Sequence, residues 1–201
     1  MTEADSAHAA GRVGEVVRAS TSDFVTQCYR LYGAPPLGCL VRSDADTTAY
    51  GVVAEVTTES LDPGRTPVAR GEHEESVDAI YRSNPQIERL YTTHFKAVTV
   101  GHRMNGQIRS YVAPSPPRIH SFVSPADEDE LRSLSGSLDF VPVLLDQPSG
   151  ARDDVTASFL KLSSAVHEDP EEYLVAAGKE LAVLLTGQLH RLNGLLKRLS
   201  Q

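Results

Sequence analysis

Between residues 11 and 70 the apolar positions fall in short runs: GRVGEVVRAS, DFVTQCYRL, GCLVRS and AYGVVAEVTT. Each run is rich in β-branched residues and is cut off by Ser, Asp, Gly or Pro, the pattern of short strands joined by turns. Four such runs predict a small barrel or sandwich. In the last of them Tyr50, Val52, Ala54 and Val56 share one face, which is assigned to the core. The other face, Gly51, Val53, Glu55 and Thr57, holds one large apolar residue and is expected to be mostly wet. Gly38 and Gly51 fit a close strand approach or a bulge. After LDPGRTPVARGEHEE the period lengthens, and SVDAIYRSN and PQIERLY read as two short helices broken at Asn84 and Pro85. The barrel is therefore expected to end near Arg70.

A second strand region follows. FKAVTVGH, the Asn105–Gly106 pair and QIRSYVAP form a hairpin pattern, which the proline-rich APSPPR interrupts. IHSFV reads as a strand, PADEDELRSL as a short helix with acids at its N-terminal dipole, and DFVPVLL as a strand that Pro142 confines to an edge or bulge. A helix is predicted from Asp153 to His167 and a long one from Glu171 to about Leu199. Along the latter, Leu174, Gly178, Leu181, Leu185, Gln188, Leu192, Leu195 and Leu199 recur at alternating steps of four and three, a heptad seam. A helix of that length extends roughly 45 Å, which makes Leu181, Leu185, Leu192, Leu195 and Leu199 candidates for partner binding or self-association. Leu184, Leu189 and Leu196 widen the stripe, so packing on the chain's own domain is the competing assignment. The fold class is α+β: a disordered tail over 1–10, a small β-barrel over 11–70, a mixed α/β connecting region over 71–150, and a long helix or helical hairpin over 151–201.

Charge narrows the functions open to such a fold. The chain of 201 residues carries a formal net charge of -8, which argues against independent binding to nucleic acid, where Lys and Arg must replace counterions. Two cysteines, Cys28 and Cys39, offer neither zinc spacing nor a disulfide framework. They predict a reducing cytoplasm and thiols packed as small apolar groups, with a disulfide between them as the alternative. The start, MTEADSAHAAG, lacks the apolar core of a signal peptide, and no run reaches membrane-spanning length.

GRVGEVV, LGCLVR, AYGVVAEV and the exit TPVARGE resemble the HAS-barrel, the N-terminal β-barrel shared by HerA-type DNA-translocating ATPases and ATP synthase catalytic subunits. The similarity continues through NPQIERLY, FKAVTVGH, APSPPRIHSFV and DFVPVLLD, which look like the segment leading into the ATPase core of HerA-like proteins. Such an ATPase would next present a glycine-rich loop with Lys and Ser or Thr to cradle phosphates. QPSGARDDVTASF stands there instead, and Gly178–Lys179 lacks the earlier glycine and precedes Glu180. The resemblance thus implies an assembly surface without ATP hydrolysis: an accessory protein acting with a HerA-like ATPase or a NurA-like nuclease in DNA end processing or repair.

Direct chemistry is sparse. No Gly-x-Ser-x-Gly elbow occurs, and no catalytic residue or cofactor-binding residue is assigned. His94, His102 and His120 would be metal candidates if their strands paired, against the plainer reading of hydrogen-bonded strand histidines. Glu72, Glu74 and Glu75 with His73 read as a solvated helix start or as a receiver for a cation or basic partner. Arg103, Arg109, Tyr111 and Arg118 interleave basic and aromatic side chains and are the candidate nucleic-acid contact. The alternative function is a regulatory barrel that binds a small ligand or a metal.

Overall fold

The computed structural model describes residues 11–201 except 45, 46, 63 and 65; the tail expected over 1–10 lies outside the described residues. Six strands close a barrel: β1 (Gly14–Ala19), β2 (Asp23–Cys28), β3 (Leu40–Asp44), β4 (Ala49–Ser60), β5 (Tyr91–Met104) and β7 (Phe122–Pro125). Every neighbouring pair is antiparallel, and the ring runs β1, β2, β5, β4, β3, β7 and back to β1. The short β6 (Gln107–Arg109) hangs on β5 through the Asn105–Gly106 turn, whose φ values of 52° and 80° suit that hairpin.

Two staves lie beyond the boundary expected near Arg70. The four early strands leave open edges, which β5 closes by pairing with β2 on one side and β4 on the other, while β7 bridges β1 and β3. The segment from Leu61 to Leu90 is an excursion between β4 and β5, pinned at its base where Leu61 N–H donates to Leu90 O. It carries α1 (Val77–Ser83), capped by the Ser76 hydroxyl, and the single turn α2 (Ile87–Leu90).

The barrel is apolar on both sides. Val16, Phe24, Cys28, Val41, Val53, Phe95, Ala97 and Val123 fill its interior. Gly51 belongs to this layer: a Cβ there would stand 2.8 Å from the Phe24 ring and 2.9 Å from Ala97 Cβ, so glycine admits the phenylalanine. Tyr50, Val52 and Ala54 point the other way, into a second core shared with the helices. The face of β4 assigned to the core is thus its helix-covered outside, and Val53, placed on the wet face, is buried inside the barrel. A bulge at Ala54 shifts the register after Val53, which leaves Val56 exposed rather than in the core.

The helical layer contains α3 (Glu128–Ser135), α4 (Val141–Leu145), α5 (Arg152–Ser164), α6 (Pro170–Leu184) and α7 (Leu189–Leu199). DFVPVLL, expected as a strand, forms α4. Phe140, Val141, Leu144 and Leu145 are buried at helical spacing, and Pro142 sits in the first turn, where no N–H is required. The long helix expected after Glu171 is two helices, because the chain turns at Leu185–Gln188 with Gly187 at φ 84°. That turn brings α7 back against α5, where Arg191 pairs with Asp153 and Arg198 with Asp154. Leu181, Leu185, Leu195 and Leu199 are consequently buried in the chain's own core, and Leu192 packs against them. The predicted seam is interrupted at that turn. No helix among the described residues is long and apolar enough to cross a membrane.

Candidate functional site

Glu130 is the one carboxylate among the described residues that is buried, and it joins the barrel to the helices. Its position follows from a capping box. Asp127 Oδ1 accepts the Glu130 N–H at 2.8 Å, and Glu130 Oε2 accepts the Asp127 N–H at 3.1 Å, which fixes the first turn of α3. The other oxygen, Oε1, faces the barrel and accepts from Arg42 Nη1 on β3 at 2.8 Å, Tyr50 Oη on β4 at 2.8 Å and Arg103 Nη2 on β5 at 2.6 Å. Arg103 also donates to Tyr50 Oη at 2.6 Å.

The electrostatics follow from this geometry. Burial works against the Arg42 charge, yet the hydrogen bond and charge of Glu130 outweigh it and hold the guanidinium above its ordinary value. Burial pushes the Tyr50 phenol up to about 12, so it stays a donor. Both Glu130 oxygens are occupied by donors. This cluster is therefore a clamp between three strands and a helix, not a free general base. An open cleft of about 550 Å³ lies over Arg103, between the β5–β6 turn and α3.

A second polar cluster ties α3 to the turn between α5 and α6. His167 Nε2 stands 2.9 Å from Ser135 Oγ, and its ring stacks on Tyr173 with centroids 4.4 Å apart. Ser135 Oγ donates to Leu131 O at 2.7 Å, so the imidazole is the donor to Ser135 and the hydroxyl is not poised as a nucleophile. Burial, and secondarily the Arg132 charge, hold the His167 pKa below its usual 6.5. Such a base favours its neutral form in the fold, so its contribution to stability is complete above about pH 6.5 and is lost as pH falls through the lowered value. Melting temperature is expected to decline on acidification through that window, and the decline should be shallower in His167→Gln, which keeps a donor toward Ser135 but does not titrate. An unchanged pH profile would refute this role.

The three candidate metal histidines occupy separate places. His94 and His102 lie eight residues apart on β5, roughly 26 Å of strand. His94 pairs with Glu59 at 3.4 Å, His120 with Glu15 at 2.9 Å, and buried His102 sets Nδ1 3.1 Å from Tyr111 O. Among the described residues no group of three or more His, Cys, Asp or Glu side chains is arranged to hold a metal ion. Cys28 and Cys39 are free thiols, and burial pushes Cys28 up to about 11.

The basic-aromatic set also divides. Arg103 is engaged by Glu130 and Tyr50, Arg109 donates to Gln107 Oε1 at 2.8 Å, and exposed Tyr111 sets its ring edge-on to His102. Arg118 lies in the loop before β7 and has a partner of its own. Of the three arginines, Arg103 is neutralised by Glu130, while Arg109 is bonded to a neutral amide and keeps its charge. The acidic residues of the β4–β5 excursion, Glu72, Glu74 and Glu75, are Glu74 partly covered and the other two exposed.

Neither a family model nor a curated protein matches the chain. The functional reading therefore rests on its own residues. Sequence reasoning passed over the Glu130 clamp. The Asp127-to-Glu130 spacing announces a helix cap, but nothing local announces that the same glutamate meets residues 42, 50 and 103.

Proposed function

We propose that the chain is a non-catalytic assembly module of HAS-barrel type, acting beside a HerA-like translocase or a NurA-like nuclease in DNA end processing or repair. The observation that carries this reading is a closed six-stranded barrel followed by helices; the resemblance implies that these helices stand where a HerA-like ATPase would place its phosphate loop. A phosphate loop connects a strand to a helix. Here QPSGARDD connects α4 to α5, and Gly178–Lys179 lies within α6. The resemblance of GRVGEVV, LGCLVR and AYGVVAEV to the family supports the same reading. The filled interior, with Val16, Phe24, Val41, Val53 and Val123 fully buried, weighs against a ligand held inside the barrel.

Co-expression with the HerA-like and NurA-like proteins of the same source, followed by affinity capture and light scattering, tests the proposal. A complex of defined stoichiometry is expected with one of them. Repeated failure to form one at micromolar concentrations would overturn the partner assignment, and ATP hydrolysis abolished by Lys179→Ala would overturn the non-catalytic one.

A further inference from the structure

The barrel is closed, but β4 outruns it. Its pairing with β3 ends at Val52, and the last bonds on that side join Val53 to Cys39 and Gly38. From Glu55 to Ser60 the strand is paired with β5 alone, and among the described residues no backbone group pairs with its other edge. The bond from Leu61 N–H to Leu90 O sets the phase. Glu55, Thr57 and Glu59 turn their backbone groups toward β5, while Val56, Thr58 and Ser60 turn N–H and C=O outward.

A groove of about 560 Å³ lies at the start of this edge, lined by Leu37, Ala54, Glu55, Val56, Lys96 and the 148–151 loop. Leu37 and Val56 are 41% and 42% exposed there, large apolar residues left uncovered next to unpaired backbone. Glu55 lines the same groove beside Lys96, and among the described residues it makes no ion pair, Lys96 being paired with Asp23 at 3.2 Å. Soluble proteins usually blunt such an edge or use it.

We propose that the outer edge of β4, from Glu55 to Ser60, receives an added strand from a protein partner: an extended segment with apolar residues toward Val56 and Leu37 and a basic residue toward Glu55. The charge of the occupant follows from Glu55, which has no ion pair among the described residues, and from the net charge of -8. A second copy of this chain would bring a second Glu55 to the same edge, whereas a basic segment neutralises the first; Glu59 already lies 3.4 Å from His94. The inference rests on the proposed assembly role only in calling the occupant a protein; the open edge stands on the backbone alone.

The test uses the full chain and short synthetic peptides of alternating valine and lysine, or valine and glutamate. The lysine peptide is expected to bind and to slow hydrogen exchange at the Val56, Thr58 and Ser60 amides. Val56→Pro removes one outward N–H at an edge, where proline is tolerated, and should weaken binding by about tenfold or more. Glu55→Lys should reverse the preference toward the glutamate peptide without touching the backbone. Binding that leaves those three amides unprotected, or that survives Val56→Pro in a folded variant, would overturn the site, as would no binding of either peptide. Protection that rises with protein concentration alone would replace the basic partner with a second copy. Failure of the HerA-like and NurA-like proteins to bind, with the amides still protected by peptide, would remove the named partners and leave the edge.

Discussion

Glu130→Ala is expected to cost about 3–5 kcal/mol of folding stability, the range for leaving buried charge without its counter-ion. Arg42 and Arg103 would face each other across an empty site, Tyr50 Oη would lose its acceptor, and the start of α3 would lose the carboxylate that caps Asp127. The Arg103 side chain is 41% exposed and regains water, which places the loss toward the lower end. Chemical denaturation should show a lower midpoint with an unchanged slope, and the melting temperature should fall by roughly 10 °C. Glu130→Gln, which keeps one acceptor oxygen toward Arg42, Tyr50 and Arg103 but sets an amide NH2 against the Asp127 N–H, should lose less than the alanine variant. A melting temperature within a degree or so of the parent for Glu130→Ala would show that the clamp contributes nothing.

Gly38→Ala should come next, at about 2–5 kcal/mol. Gly38 has φ 82°, where an L side chain meets its own carbonyl at a cost of about 1–2 kcal/mol. A Cβ there would also stand 2.8 Å from the Phe159 backbone nitrogen and 2.7 Å from Ser158 Cβ, atoms that cannot rotate away, adding about 1–3 kcal/mol. Gly106→Ala separates the two effects. Its φ is 80°, but nothing lies within 4 Å of its Cβ, so it should show the conformational part alone. Equal losses in the two variants would contradict close packing of the 37–39 loop on α5.

The strands of this fold were legible because β-branched runs between turn residues report a local preference. Asn105–Gly106 likewise specified its hairpin, and the acids of PADEDELRSL the start of α3. Closure was not legible, since nothing near Phe122 states that it lies opposite Glu15, more than a hundred residues away. DFVPVLL was ambiguous for a different reason. A short apolar run has no period long enough to separate strand from buried helix, and the burial of Phe140 and Leu144 against the helical layer decided it. The heptad seam after Glu171 was a real apolar face read at the wrong length. Gly187 lets the chain fold that face onto α5, a choice made by tertiary packing and not by the spacing of leucines. The site divides in the same way: Arg109 finds Gln107 two residues away, whereas Arg103 meets Glu130 and His120 meets Glu15 from distant parts of the chain.

The position of β7 has a consequence for how the molecule is made. Val123 pairs with Gly14 on one side and Ser43 on the other, so the ring cannot shut until residues 122–125 have left the ribosome. Until then the nascent chain holds β1 and β3 with bare edges and the apolar lining of the barrel uncovered. Barrels dominated by such distant pairings fold in milliseconds to seconds, slowly enough for unshut intermediates to meet one another. Production of this protein should therefore depend on temperature and chaperone supply more strongly than its finished, well-filled interior suggests.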